Sequence, residues 1–565
     1  MLEVAGEDIQ TANLDHYGLV AAICKDLKIV EKIDARLGTD CRRKVSPGTA
    51  ALAMVVNGLG FTNRRLYLTH QFFETKPTEH LLGEGIKAKD ITDDTLGHAL
   101  DNIAEYGSTQ LFAEVAFEIA VDQDLLSNIN HIDTTSLSVN GSYQVNDDPK
   151  IMEIVRGHSK DHRPDLKQAV LSLVVNGPSA IPLWMEPLDG NSSDKTSFHK
   201  TIKNVREFQK QIDVETPCKW IADSALYAKD KLLKTNHYTW LTRVPETIRE
   251  AKQLVKKSDE EIEWKDQEND YKTSEFTSFY GGIEQRWLLV FSQQAYIREK
   301  RTLTKKLNKE KEKLEKQIWH LNKEMFQCEN DAQKILSQFK KKQLLHYVEG
   351  KIVPVEKYTK RGKPKRGQKK EIIGYKIEAH LKQNKEAIEK LLNRKGRFIL
   401  ATNDMDKTNY TDELILKEYK EQQSVERGFR FLKDPWFMVD SVFLKTPRRI
   451  EALMMIMTLC LLVYNVGQYK LRCKLQEEKE SLPNQLGKQV KNPTLRWIFQ
   501  IMEGVGVIHT NSCQGTREIV TNLTKLRRKI ITLFGSTSMG MYGLAHEEHI
   551  CVQEVSRPLS QTLSL

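Results

Sequence analysis

Tyr419, Gln422, Glu426 and Lys433 bring an aromatic ring, an amide, a carboxylate and an ammonium group into the segment TDELILKEYKEQQSVERGFRFLKDP, residues 411–435. At about 100° per residue of helix, Gln422 lies roughly 60° from Tyr419, while Glu426 and Lys433 fall within about 20° to 40° of it. Asp412 and Glu413 at the start of the segment and Lys433 near its end follow the charge order that a helix dipole favours, and Pro435 must stop the helix. Glutamate and lysine are seldom buried unpaired, so this stripe is either a solvated face or a surface that holds a cation beside a phosphate. Two aspartates upstream have settings that suit the second reading. Asp133 lies in NINHIDTTSLSVNG, where the β-branched run at 132–139 ends at Asn140-Gly141 as a strand does at a turn. Asp223 stands where the apolar run at 220–222 breaks, as a buried strand does at its functional end.

Tyrosine, arginine three residues on, glutamate four further and lysine seven further is the signature of the DDE-type transposases of bacterial insertion sequences. Tyr419, Glu426 and Lys433 resemble it in spacing, and Gln422 stands where that family has arginine. HIDTT at 131–135, GHSKDHRPDLKQ at 157–168 and IADSALY at 221–227 resemble the motifs that precede it, in the same order, and the resemblance runs over about 15–535. It implies that Asp133, Asp223 and Glu426 are catalytic carboxylates holding two Mg²⁺ or Mn²⁺ ions per active site, with Asp133 bridging them and Asp223 and Glu426 each holding one. Tyr419, Gln422 and Lys433 would then face the DNA, and Tyr419 and Lys433 would position the transposon end through its phosphates.

That chemistry accounts for the residue types. Phosphodiester cleavage develops charge on the phosphoryl oxygens, and two divalent cations about 3.5–4 Å apart activate the attacking oxygen and hold the leaving one. Such hard ions prefer carboxylate oxygens to histidine or cysteine. The implied activity is hydrolysis at the element's ends, then strand transfer of the 3′-OH into target DNA without a covalent protein intermediate. The implied partners are double-stranded DNA and a second copy of the chain assembled on it. Two other classes stay open: a metal-dependent nuclease without strand transfer, and a catalytically inactive DNA-binding or scaffold descendant, for which Gln422 is the one feature.

Positioning these residues falls to a chain of 565 residues with 39% hydrophobic and 29% charged residues, the composition of a folded protein. Its net charge of +10 suits a polyanionic partner without requiring one. Cysteines at 24, 41, 218, 328, 460, 473, 513 and 551 form no C-x-x-C, which argues for reduced thiols and against a zinc module or a disulfide framework. No basic segment followed by an apolar one opens the chain, so the expected place is the bacterial cytoplasm, at the nucleoid. The apolar run at 452–464 is short of the ~18 to 20 residues of a membrane span and reads as a buried core helix.

By pattern, residues 1–125 form a helical domain, with Ser46 capping a helix that starts at Pro47 and Thr92 capping another. Basic insertions such as Arg42-Arg43-Lys44 suit recognition of a DNA end and suit a generic helical bundle almost as well. Residues 126–250 alternate short strands with a helix at about 196–212, which by pattern alone is mixed α/β. The family resemblance makes this a ribonuclease H-like catalytic core. Asp133 and Asp223 are 90 residues apart but Asp223 and Glu426 are 203 apart, so an insertion, 251–394, interrupts the core before its second part at 395–446. The insertion reads as two strands around Gly281-Gly282, then a charged helix or helical hairpin at 295–347 with a leucine seam at Leu303, Leu307, Leu314, Ile318 and Leu321. The seam serves either a coiled-coil dimer or packing on its own domain.

The basic stretch KYTKRGKPKRGQKK at 357–370 is either a solvated loop or an arm that tracks a DNA backbone through residues such as Lys365 and Arg366. In GHSKDHRPDLKQ the same choice applies to Lys160 and Arg163, as polar loop or phosphate contacts, and His158 and His162 lack a second cluster for metal binding. GNSSDKTS at 190–197 reads as a helix cap. Residues 447–565 are expected to be a helical C-terminal region packed on the core.

Overall fold

The computed structural model describes residues 8–61, 68–139, 141, 143, 151–160, 163–214, 218–235, 237–340, 345–358, 369–434, 444, 446–512 and 515–544. The chain divides into two compact units, one made of 1–226 and 418–565, the other of 227–417.

The first unit opens with strand β1 (Asp8–Asn13) and helices α1 (Tyr17–Asp26), α2 (Ile29–Leu37), α3 (Pro47–Gly58), α4 (Asp93–Tyr106) and α5 (Ser108–Asp122). The caps read from the sequence are present: Ser46 Oγ accepts the Thr49 N–H at 3.1 Å and Thr92 Oγ1 that of Thr95 at 3.1 Å. The apolar repeat before Gly38 forms two helices, because Lys28 takes a left-handed conformation, φ 52°, and breaks it.

A sheet follows, of β2 (Ile129–Val139), β3 (Lys167–Asn176), β4 (Ile181–Leu188) and, after helix α6 (Asp194–Gln211), β5 (Lys219–Ala222). Their order is β4-β3-β2-β5, with β2–β3 and β3–β4 antiparallel and β2–β5 parallel. The reversal between β3 and β4 uses Gly177 at φ 59°, with the Ala180 N–H donating to its carbonyl at 3.0 Å. Burial is nearly continuous along β3 and β4, as in strands covered on both faces.

The second unit holds β6 (Thr239–Arg243), β7 (Lys265–Gln267), β8 (Tyr271–Tyr280), β9 (Ile283–Ser292), α7 (Gln293–Lys323), α8 (Glu329–Lys340), β10 (His346–Lys357), β11 (Glu371–Gln383) and β12 (Arg397–Thr402). Within it, β12 pairs antiparallel with both β6 and β9, and β8 lies between β9 and β7. This pairing explains why the unit spans 227–417 rather than the narrower insertion expected at 251–394. The leucine seam is used inside the unit. Ile318 and Leu321 of α7 and Ala332 and Leu336 of α8 share a core with Val348 of β10 and Ile377 of β11.

Helix α9 (Asp412–Glu421) carries the chain out of this unit, and α10 (Gln423–Leu432), α11 (Pro447–Glu477), α12 (Leu495–Met502), β13 (Gly506–Ser512), β14 (Gly515–Thr521), α13 (Lys525–Leu533) and α14 (Ser536–Met541) complete the first. The C-terminal region is therefore not wholly helical, since β13 pairs with β14 and with β1. Nor do 1–125 and 447–565 stand apart: α11 packs on α3, α4, α5 and β4. By length and composition α11 could cross a membrane, but 78% of its most apolar window is buried in the protein. Its apolar character is that of a core helix.

Candidate active site

Register places the two strand aspartates side by side. Ile132 of β2 pairs with Ala222 of the parallel strand β5, so the next residue on each, Asp133 and Asp223, emerge on neighbouring strands about 4.8 Å apart. The Thr134 N–H donates to Asp133 Oδ1 at 2.7 Å, and the Ala225 N–H, in the turn after β5, donates to Asp223 Oδ1 at 2.9 Å. Burial raises the Asp133 carboxyl to about 7, with Asp223 and Asp194 adding to the shift against the opposing pull of Lys160 and the Thr134 N–H. Asp223 is also raised, first by burial and then by Asp194, against the Ala225 N–H and Lys160.

Asp194 and Thr134 were not singled out in the sequence. GNSSDKTS was read as a cap, yet Ser193 at the N-cap of α6 makes no capping hydrogen bond. Asp194, the first residue of α6, instead accepts a hydrogen bond from the Thr134 hydroxyl and lies 3.1 Å from the Lys160 ammonium. An acid in the first turn of a helix looks the same in sequence whether it answers the dipole or a distant lysine. Lys160 itself was expected to reach outward to phosphate. It turns inward, donating to the Thr134 carbonyl at 2.6 Å and to Thr134 Oγ1 at 2.9 Å, with Asp133 Oδ1 3.8 Å away.

The expected single helix over 411–435 is two, α9 and α10, and the break falls at Gln422. The cause is a buried pair of hydrogen bonds that the stripe reading could not include. Gln422 Nε2 donates to the Ile132 carbonyl at 3.0 Å, and Gln422 Oε1 lies 3.1 Å from His131 Nδ1, which makes that nitrogen the donor. Gln422 is thus removed from the expected DNA-facing set, since its amide is engaged on β2 beside Asp133. Burial lowers His131 to about 4, which keeps the ring neutral for this contact.

Of the other stripe residues, Tyr419 and Lys433 are half-buried and Glu426 is exposed. Helix α10 packs on β2 and β3, with Gly428 close to Leu461 and Leu173. Hence Glu426 stands on a helix seated on β2, the strand of Asp133, and on β3. It does not join the aspartates: among the described residues no group of three or more histidine, cysteine or acidic side chains is gathered as for a metal ion. What the structure brings together is Asp133 with Asp223, and Asp194 with Lys160. These half-buried carboxylates are hard oxygen donors of the kind that fit a hard divalent cation.

Arg163 forms a bidentate pair with Asp165 on the exposed surface, at 2.9 and 2.8 Å. Lys365 and Arg366 lie outside the described residues, as does His162. Sequence reading passed over Arg427 and Arg430. With Arg472 and Arg496 they line a cavity of about 770 Å³ between α10 and α11, where among the described residues the acidic lining residue is Asp434, already paired with Arg496. Their spacing in sequence, on three helices, holds no motif that would have found them.

The described structure is thus mixed α/β, with half-buried Asp133 and Asp223 side by side at adjacent parallel strands and Glu426 exposed on a helix packed on β2 and β3. Residues 128–463 match the family model described as the transposase DDE domain. The match covers more than half of the chain, which belongs to that family. Residues 9–117 match a model described as a domain of unknown function, DUF4277. No curated protein matches the chain. Among solved structures it is similar to the cryo-EM structure of a piggyBac transposase synaptic complex with hairpin DNA, at 10% identity and a TM-score of 0.36 over 86% of this chain and 80% of that one. A likeness of that size defines neither fold nor function.

Proposed function

We propose that the chain cleaves DNA at the ends of an insertion sequence and transfers the freed 3′ ends into target DNA, with Asp133, Asp223 and Glu426 holding two Mg²⁺ or Mn²⁺ ions. The observation that carries this reading is the register of β2 and β5, which sets Asp133 beside Asp223 in a half-buried site of hard oxygen donors. When bound, the ions would supply the positive charge that such a reaction needs at the phosphoryl oxygens. The chain's own residues set the frame. The Thr134 and Ala225 N–H groups orient the two aspartates, and Gln422 fastens the start of α10 to β2. Glu426 stands one turn on, in the first turn of α10, with its side chain exposed.

Around this frame, Tyr419, Lys433, Arg427 and Arg430 face the DNA phosphates, with Arg163, Lys365 and Arg366 as further contacts. The order of β2, β3, β4, α6 and β5 supports a ribonuclease H-like core, the helices of 1–125 an end-binding role, and the assembly on DNA is a homodimer. The test is cleavage and binding of a duplex carrying the element's end by Asp133→Asn, Asp223→Asn and Glu426→Gln. Each is expected to lose cleavage and keep parental binding, and a variant that cleaves within about tenfold of the parent removes its residue from the site. A nuclease without strand transfer is separated by adding a target plasmid, since only a transposase joins the cleaved ends to it. The exposed Glu426, apart from the aspartates, is the one observation that favours an inactive descendant, and no cleavage by the parent chain with either ion would support it.

A further inference from the structure

The Lys160 ammonium occupies a nest of oxygens. Its own backbone N–H is fixed by Ser136 Oγ at 3.0 Å, and its Nζ lies 2.6 Å from the Thr134 carbonyl, 2.9 Å from Thr134 Oγ1, 3.1 Å from Asp194 Oδ2 and 3.8 Å from Asp133 Oδ1. Carbonyl, hydroxyl and carboxylate oxygens are also the donors that a hard divalent cation prefers. Lys160 is therefore held by a set of groups that overlaps the one an ion would need.

The geometry points to Lys160 as a resident counter-ion of the catalytic carboxylates, which competes with the divalent cation for Asp133 and is drawn aside by Asp194. This rests on the metal-dependent reading proposed above. Three carboxylates, Asp133, Asp194 and Asp223, act on one another in this site, and among the described residues Lys160 is a cation that acts on both Asp133 and Asp223. Without it these half-buried carboxylates would repel one another. The ammonium stands nearer to Asp194 than to Asp133, and the Thr134 hydroxyl, which donates to Asp194, ties the two together. Asp194 acts here through Lys160, so it is a positioning residue: it keeps the ammonium on the α6 side and leaves Asp133 more open to an ion.

The experiment is a titration of the DNA-free full chain with Mn²⁺, followed by the loss of the free-ion electron paramagnetic resonance signal. Lys160→Met should bind Mn²⁺ about tenfold more tightly than the parent, because a like charge has left the site. Lys160→Arg, which keeps the charge, should stay near or below the parent. Asp194→Asn should bind more weakly, as the ammonium then falls back on Asp133. The double variant Lys160→Met with Asp194→Asn decides Asp194's role: it should bind like Lys160→Met alone, whereas a direct metal ligand would make it clearly weaker. A tighter affinity cannot arise from a damaged fold. Parental affinity in Lys160→Met overturns this inference alone, while absence of Mn²⁺ binding by parent and variants alike overturns the metal reading as well.

Discussion

Each unit of the chain buries charge, and the two do so differently. In the second unit, Arg286 is 2% exposed and meets Asp412 at 2.5 Å and Glu275 at 3.3 Å, with the Tyr410 carbonyl as a further acceptor and Lys407 also on Glu275. There two cations answer two carboxylates. In the first unit, Lys160 lies 3.1 Å from Asp194 and 3.8 Å from Asp133, with Asp223 on the neighbouring strand. A balanced buried cluster is closed to further ions, and its loss of one member leaves an uncompensated charge that costs about 3–5 kcal/mol. The half-buried carboxylates beside Lys160 stay within reach of solvent and its ions.

The largest expected effect tests that contrast directly. Asp412→Asn should destabilise the protein by about 3–5 kcal/mol in urea, because Arg286 loses its partner. Asp133→Asn should lose cleavage while its unfolding midpoint stays at or above the parent's, since it relieves repulsion. Equal destabilisation by the two would break the comparison.

Next comes pH. Asp133 is held at about 7 against an ordinary 3.8, so the fold prefers its neutral form. Between those values the folded state binds more protons than the unfolded one, and the metal-free protein should lose stability as pH rises from about 4 to 7. Mn²⁺ must displace that proton, so its affinity should fall about tenfold per pH unit below 7 and level off above it. Affinity flat from pH 5 to 8 would place the ion away from Asp133.

A smaller effect concerns Gln422. Family spacing alone favours arginine there, and Gln422→Arg would then be neutral or beneficial. The buried amide reverses that expectation: losing its two hydrogen bonds on β2 should cost about 1–3 kcal/mol and lower cleavage by moving α10. A fully stable and active variant would mean that Gln422 does not fix the helix. The smallest effect is at Arg163, whose exposed pair with Asp165 should leave unfolding unchanged when Arg163→Gln removes it. If Arg163 meets one phosphate, the slope of log binding constant against log salt should drop by about 0.9.

How far these features were legible in the sequence depended on their reach along the chain. Asp133 and Asp223 stand at breaks in short apolar runs, and a strand end is a local signal, so their pairing could be anticipated. The caps at Ser46 and Thr92 are equally local. The Gln422 contact joins residues separated by 290 positions, and a helical-wheel reading assumes an unbroken helix that this contact interrupts. Asp194 was read as part of a cap because nothing near it in sequence names Lys160 as its partner. The leucine seam of α7 was visible, but only the sheet of β10 and β11 decides what covers it. Strand β1, with the polar sequence DIQTAN, carries no alternation and owes its existence to β13.

That last pairing bears on how the molecule comes off a ribosome. The second unit is contiguous, so it can close on itself once Lys417 has been made. The first cannot: β1 waits for Gly506–Ser512, and Leu19 and Asp15 wait for the Tyr542 hydroxyl, which accepts from one at 3.2 Å and donates to the other at 2.5 Å. At about 5–20 residues per second, β1 remains without its partner strand for roughly 25 to 100 s of translation. The aspartates, already synthesised, stay in an unfinished body for that time, and a truncated transcript ending before β13 yields a chain whose first unit lacks the partner of β1.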